Sequence, residues 1–330
     1  MDSFHRPTAA LVTILLFTAA GTMLPGFSDV SHPTTQPAQR TAWMTVGGGN
    51  IEVDIEAGNM DLSRTELLDW VRTSAIAVSR YFGRFPVKKA LIKIVPRHAA
   101  GIGFSTTTYE RDAGVITVPV GRHTTVRDLA DDWVLTHEMI HFGFPLTSDK
   151  HRWLAEGMAT YVEPLARMRT GLIPAQEVWG DLVRMLPQGL PEPGDRGLDH
   201  TPSWGRTYWG GALYFLLADL EIRRRTNNRR GLEDALGAIA RAGGNIASDW
   251  EPVQALEVGD RAVGTTVLTD LYNRMKQQPV AIDLPRMWAL LGVSSKEGTI
   301  VFNDRAPLAH LRRAINRGSF PGRPASKHDV

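Results

Sequence analysis

Near residue 124 the hydrophobic period of this chain changes once, and that change confines it to folds that keep strands and helices in separate regions. Before it, residues 44–56 alternate around a Gly47-Gly48-Gly49-Asn50 turn, which predicts a β-hairpin. Residues 63–84 carry Leu67, Leu68, Val71, Ala75, Val78 and Phe82 at three- and four-residue steps, an amphipathic helix that Gly83 and Pro86 end. Strands are predicted at 89–95 and 115–120, with the Gly- and Thr-rich residues 100–109 between them as an extended edge or loop. After residue 124 strand signals almost vanish. Helices are predicted at 125–142, 152–169, 204–225, 231–241 and 263–276, with a loop rich in Pro, Gly and Asp at 187–202. No self-similarity at the roughly 20- to 50-residue periods of solenoids is present. The expected fold is α+β, with a small β-containing lobe at 43–124 and a mostly helical lobe at 125–317.

The 330 residues include no cysteine. Disulfides, thiol nucleophiles, zinc ribbons and iron–sulfur ligation are thereby excluded, and only imidazole and carboxylate remain to hold a metal. Hydrophobic residues at 43% and charged residues at 22% allow a core without covalent staples. The 37 basic and 35 acidic residues leave a net charge of +2, too little to create a broad field for nucleic acid. Arg6 precedes an uncharged run from Ala9 to Ala20, which has the length of a signal-peptide core and falls short of the ~20 residues that span a bilayer. Residues 1–26 are therefore read as a signal peptide or N-terminal anchor, 27–42 as a flexible linker and 318–330 as a disordered tail. This places the folded part outside the cytoplasm, secreted, periplasmic or anchored, with membrane contact only through a retained leader.

Chemistry concentrates in DDWVLTHEMIHF. His137 and His141 are four residues apart, slightly more than one helical turn, so their imidazoles share a face and can bind one metal ion. Glu138 is rotated about 100° from His137 and can serve as a general base beside that ion without ligating it. A zinc ion lowers the pKa of its bound water to about 7, and a carboxylate can take the proton as the water attacks an amide. Asp128, Asp131 and Asp132 precede the motif, where negative charge favours a helix start.

A catalytic zinc site requires a third protein ligand and an open position. Glu156, in Trp153-Leu154-Ala155-Glu156-Gly157, can supply it from a second helix returning antiparallel to the first. Thr160 and Glu163 fall on the same face and are candidates to orient a ligand imidazole through its other nitrogen; Glu163 is also the rival third ligand.

These residues resemble the gluzincin metallopeptidases, in which H-E-x-x-H is followed by a W-L-x-E-G-type segment bearing a glutamate ligand, as in thermolysin and the aminopeptidase N group. The resemblance to the glycyl-aminopeptidase branch is closer, because TYWGGALYFLLADLEIRRRT looks like the helix that follows the metal-ligand segment there. It implies a thermolysin-like two-lobed domain holding one zinc ion on His137, His141 and Glu156, with Glu138 as the base. Tyr208 matches the tyrosine of a Y-x-K-G-like motif that stabilises the oxyanion, although Gly210 replaces the lysine. A phenol in that position would complement zinc in stabilising oxyanion charge, and an aromatic packing role beside Trp204, Trp209 and Tyr214 is the alternative. No G-x-M-E-N-like strand is present; residues 102–105 lie about where an edge strand would bind substrate backbone.

The expected function is an exported zinc metallopeptidase that hydrolyses peptide bonds through a zinc-bound water activated by Glu138, with a peptide or protein as substrate. The alternatives are an aminopeptidase acting on short peptides and a catalytically silent peptide or cell-envelope binding module on the same fold. Arg223, Arg224, Arg225, Arg229 and Arg230 read as solvated cations at a helix C-terminus rather than a nucleic-acid surface. His98, His123, His151 and His200 each stand alone and read as structural or solvated.

Overall fold

In the computed structural model, which describes residues 40–318, the expected hairpin forms from β1 (Thr41–Val46) and β2 (Gly49–Ile55). Gly47 and Gly48 between them both have positive φ, the backbone that a two-residue turn between twisted strands requires. In α1 (Arg64–Phe82), Ser63 and Glu66 form a reciprocal capping box at the start and left-handed Gly83 closes the end. The sheet is completed by β3 (Lys89–Arg97), β4 (Thr106–Glu110) and β5 (Ala113–Gly121), in the order β1-β2-β3-β5-β4. Strands β2, β3 and β5 run parallel, while β1 and β4 are antiparallel to their neighbours. Residues 100–109 therefore resolve into a true edge strand, β4, preceded by an extended segment that joins β5 through an Ile102–Val120 bridge.

The helical part comprises α2 (Val126–Asp131), α3 (Val134–His141), α4 (Arg152–Arg169), α5 (Ala175–Met185), α6 (Gly211–Arg225), α7 (Leu232–Arg241), α8 (Pro252–Val263), α9 (Val267–Met275), α10 (Leu284–Leu291) and α11 (Ala309–Arg317). A small hairpin of β6 (Val293–Lys296) and β7 (Thr299–Phe302) lies between the last two helices, where the sequence suggested no strand. The single helix expected at 125–142 is broken at Asp132, which is extended at ψ 133°. Its carboxylate turns back to accept from the backbone N–H groups of Val134 (2.9 Å) and Leu135 (3.1 Å) and from Trp70 Nε1 (3.1 Å). The acidic residue read as favouring a helix start does so, but for a second helix and by direct capping. Residues 263–276 are the end of α8, a left-handed Gly264 and then α9. The helix expected at 204–225 opens with a π-helical segment, Gly205–Gly210, before α6 begins.

Sheet and helices share one apolar core. Ile92, Ile116 and Val118 of the sheet, Val71, Val78 and Phe82 of α1, Leu135 and Ile140 of α3, and Leu154, Tyr161 and Leu165 of α4 belong to a single buried cluster. Helix α3 is thus held between the sheet and α4. Behind it, Arg223 is 1% exposed in its side chain and lies in a buried ionic network rather than among solvated cations. Its guanidinium donates to Asp219 (2.8 Å) and Glu233 (2.7 Å), and Asp219 also accepts from Tyr161 Oη (3.0 Å) and Leu232 N (3.0 Å), tying α4, α6 and α7 together. The reading as solvated cations fits Arg224 and Arg225, which pair with Glu221 near the surface.

Among the described residues no helix is long and apolar enough to cross a membrane. The leader expected at 1–26, most of the linker at 27–42 and nearly all of the tail at 318–330 lie outside the described residues; β1 begins inside the expected linker, at Thr41.

Candidate metal centre

The capped start of α3 sets the rotation of an eight-residue helix on which His137 and His141 project from one face, ring centroids 5.0 Å apart. Opposite them, α4 begins after a single 3-10 turn, Asp149–His151. The loop at 187–202 fixes this start, because the buried carboxylate of Asp199 accepts from Trp153 Nε1 (2.8 Å) and pairs with His151 Nδ1 (2.9 Å). Glu156, one turn into α4, then reaches both imidazoles: its Oε2 lies 3.5 Å from His137 Nε2 and 3.7 Å from His141 Nε2. One ligand atom from each of the three residues falls within 4.8 Å of the others, and they form the one such cluster of three or more among the described residues.

These separations are long for hydrogen bonds, and they approach the ~3.4 Å expected between two ligand atoms that share a tetrahedral zinc ion at 2.0–2.2 Å. The protonation states fit as well. Burial and the neighbouring His137 lower the pKa of His141 to about 4, which leaves its imidazole neutral with a lone pair available at neutral pH. Burial pushes the Glu156 carboxyl upward, but the two imidazoles and the Arg152 guanidinium outweigh it and bring it down to about 2. Two imidazoles and one carboxylate on a shared point suit zinc.

Glu138 is turned away from the ligand cluster toward β4. Thr107 Oγ1 lies 2.5 Å from Glu138 Oε2 and 3.1 Å from the Glu138 carbonyl oxygen. Burial raises the pKa of Glu138, with His137 and the Thr107 hydroxyl opposing and Glu156 reinforcing the rise. Tyr208 sits in the π-helical segment, and burial and then Glu156 raise its pKa, with Arg152 opposing and Glu138 contributing further to the rise. Its ring lies 6.0 Å from that of Trp204, while Trp133 meets His137 edge-on at 5.5 Å. A π-turn inside a helix is a frequent feature of functional sites. Just after it, α4 and α6 pack closely: a methyl group on Gly211 would overlap the Trp153 carbonyl and Gly157, and one on Gly157 would overlap the Gly211 backbone. The glycine after Glu156 therefore lets α4 and α6 approach closely enough to bring Glu156 and Tyr208 together.

Of the other residues singled out in the sequence, Thr160 is half-buried one turn beyond Glu156. Glu163 is buried and accepts from Arg167 Nη1 (3.1 Å), whose other nitrogen reaches the carbonyls of Ala130 and Asp131; it is not in the ligand cluster. His123 pairs with Asp61 at the surface, and His98 and His200 are exposed. Two residues in the site were not foreseen. Arg152 donates from Nε to Glu156 Oε1 (3.2 Å), and its charge opposes the rise in the Tyr208 pKa. Its only sequence signal was the four-residue spacing from Glu156. Thr107 lies some thirty residues from Glu138, and no local pattern marks it.

Comparison with protein-family models and with curated proteins finds no match. Among solved structures, an aminopeptidase N family protein from Idiomarina loihiensis superposes with a TM-score of 0.58 at 13% identity, over 77% of this chain and 49% of that one. An M1 zinc metallopeptidase from Deinococcus radiodurans gives a TM-score of 0.48 at 19% identity, over 74% of this chain and 53% of that one. Legionella pneumophila aminopeptidase A in complex with aspartic acid gives 0.46 at 14% identity, over 73% and 28%. The chain spans about half the length of the first two structures. At these identities the first likeness establishes the fold: the chain has the mixed α/β architecture, sheet lobe followed by helices, of an aminopeptidase N family protein.

Proposed function

We propose that this protein is a zinc metallopeptidase. The observation that carries the reading is the convergence of His137, His141 and Glu156 ligand atoms within 4.8 Å, with Glu138 beside them as a carboxylate that does not join the cluster. Bound there, a zinc ion supplies Lewis acidity and a water acidic enough to be deprotonated near neutral pH. Glu138 takes the proton of the attacking water as its oxygen bonds to the peptide carbonyl carbon, and returns that proton to the nitrogen as the C–N bond breaks. The Thr107 hydroxyl keeps Glu138 aimed away from the ligands. Tyr208 donates its phenolic proton in a hydrogen bond to the carbonyl oxygen as charge develops there.

Strand β4 ends the sheet, so its outer edge has backbone groups open to an extended peptide. Alternation along β4 puts Tyr109 on the same side as Thr107 and leaves Glu110 on the other, exposed side. The strand thus offers neutral side chains next to Glu138, which favours peptide-bond hydrolysis in general over recognition of a free amino terminus from this strand. We place the domain outside the cytoplasm on the strength of its leader; fractionation of cells expressing the full chain tests this, and a cytoplasmic pool alone would overturn it.

The test of function is paired metal analysis and hydrolysis of a diverse peptide library by wild type and Glu138→Gln. We expect one zinc ion per chain in both and a loss of about 10²- to 10⁴-fold in hydrolysis in the variant. Stoichiometric zinc without cleavage by the wild type would favour a binding module. Failure to take up zinc on reconstitution would overturn the site.

A further inference from the structure

The loop at 187–202 is rich in Pro, Gly and Asp, a composition that ordinarily lies solvated at the surface. It nevertheless buries two carboxylates four residues apart, Asp195 at 1% and Asp199 at 2% side-chain exposure. Buried charges are costly to desolvate and are weak support for stability; their best-attested use is to fix one register of the chain. Each of the two holds a different segment of the site. Asp199 Oδ1 accepts from Trp153 Nε1 (2.8 Å) and pairs with His151 Nδ1 (2.9 Å), which holds the start of α4 three residues before Glu156. Asp195 forms an ion pair with Arg206 (Oδ2 to Nε, 2.7 Å) and accepts from its Nη2 (3.4 Å), two residues before Tyr208 in the π-helical segment. The same guanidinium donates from Nη1 to the Gly189 carbonyl. The loop backbone lies directly on that segment, because a methyl group on Gly189 would overlap the backbone of Trp209 and Gly210. The loop is anchored in turn from outside the site: Leu198 N and Asp199 N donate to the carbonyls of Met275 (2.9 Å) and Lys276 (3.0 Å) at the end of α9.

We propose that Asp195 and Asp199 are positioning residues, and that one loop, through two separate arms, sets both the π-helical segment that carries Tyr208 and the start of the helix that carries Glu156. The Asp199 arm rests on the metal cluster alone; the Asp195 arm rests on the peptidase reading above, in which Tyr208 gives a hydrogen bond to the developing oxyanion. Arg206 serves Asp195 and the Gly189 carbonyl at once with a planar fork, which a lysine ammonium on a flexible stem does not reproduce. A loop that merely stabilised the fold would affect metal binding and turnover together. Two arms on two segments give separable effects, on metal affinity through Asp199 and on turnover through Asp195.

The test uses the full chain with Asp195→Asn, Asp199→Ala, Asp199→Asn, Tyr208→Phe and the Asp195→Asn/Tyr208→Phe double variant. Circular dichroism and thermal unfolding of the metal-free proteins measure the stability of each, and Arg206→Lys and Asp199→Ser replace Asp195→Asn and Asp199→Ala where those do not fold. Zinc affinity is read by competition with a chromogenic chelator, and kcat and KM on a peptide that the wild type cleaves. Fluorine NMR of fluorotyrosine-labelled protein reports the surroundings of the Tyr208 ring, with Tyr208→Phe assigning its resonance. We expect Asp199→Ala to weaken zinc binding about 10-fold, the lower end of the cost of losing a group that orients a ligand, with the Tyr208 resonance in place. Asp199→Asn keeps the accepting oxygen and should recover most of that affinity. Asp195→Asn should move the Tyr208 resonance and lower kcat about 10- to 100-fold with little change in KM, the order of loss that a misplacement of about 1 Å produces, while zinc affinity stays near that of the wild type. Tyr208→Phe should then cost much less in the Asp195→Asn background than in the wild type. A Tyr208 resonance unmoved by Asp195→Asn, or zinc affinity and kcat falling together in both variants in step with lost stability, would overturn the inference. If the wild type binds zinc but cleaves no peptide, the peptidase reading fails separately, and the zinc affinities and the Tyr208 resonance still decide whether the two arms act on different segments.

Discussion

Replacing Thr107 by valine removes the hydroxyl that Glu138 accepts from while keeping the shape of a β-branched residue on an edge strand. The hydroxyl contacts Glu138 Oε2 at 2.5 Å and lowers the pKa of that carboxyl against the effect of burial. A hydrogen bond to a charged group contributes about 1.5–3 kcal/mol, and a pKa unit corresponds to about 1.4 kcal/mol, so complete loss would move Glu138 by about one to two units. Thr107 is only half-buried, and water can replace part of the bond, which brings the expectation to about one unit. The sign follows from the donor favouring the ionised form: without it the carboxylate takes up a proton at higher pH. If Glu138 is the base, the acidic limb of kcat/KM against pH should move upward by about one unit in Thr107→Val and stay in place in Thr107→Ser. The measurement is a pH–rate profile at saturating zinc, with variants compared so that the metal's own effect on Glu138 cancels. A limb that does not move in Thr107→Val, or that moves downward, would refute the assignment of Glu138 as the titrating base held by β4.

Gly157→Ala forces a methyl group into the Gly211 backbone and should lower the unfolding free energy by at least the roughly 1–3 kcal/mol typical of overpacking, with weaker zinc binding because Glu156 moves with it; an unchanged denaturant midpoint would show that α4 and α6 can separate freely. Asp219→Ala leaves Arg223 buried without its i−4 partner and should cost about 3–5 kcal/mol in urea unfolding, as breaking buried pairs usually does; a loss below 1 kcal/mol would mean that water enters the network. The chelator-treated protein should lose stability as pH falls from about 6.5 toward 4, because burial and His137 hold folded His141 at about 4 while the unfolded histidine takes up its proton near 6.5. The shift is worth at most about 3 kcal/mol, and a denaturant midpoint that stays constant from pH 7 to 4.5 would contradict it.

The parts of this fold that were legible in the sequence are those written in local patterns. The hairpin at Gly47-Gly48 and the capped helix α1 carry their turn and cap residues next to their apolar periodicity, and α4 was bounded at Arg152 and Arg169 by amphipathicity alone. The break at Asp132 was hidden because an acidic residue before an apolar run reads equally as the first turn of one helix and the cap of another. The strands of the β6–β7 hairpin are four residues each, too short for their pattern to rise above the surrounding chain. Within the site, the convergence of His137, His141 and Glu156 was legible because a helical step and a return helix fix their spacing. Thr107 acts across the space between elements, and Gly157 acts by the absence of a side chain. Neither relation has a period.

The carboxylates of Glu156 and Glu138 start from the same ordinary value and are both pushed upward by burial, yet they end on opposite sides of it. Glu156 has two imidazoles and a guanidinium on its oxygens and falls to about 2. Glu138 has a single hydroxyl and one imidazole to oppose burial, with the Glu156 charge adding to it, and remains raised. A group that stays ionised under all ordinary conditions is suited to hold a cation, and one that can take and return a proton is suited to be the base; separation of neighbouring carboxyl groups in this way assigns the two roles from environment alone. The separation also depends on Arg152, which donates to Glu156 Oε1, and on Thr107, which donates to Glu138 Oε2. The parts that looked like bystanders in the sequence, an edge strand rich in threonine and the arginine that opens α4, therefore help to set the proton affinities of the two glutamates apart.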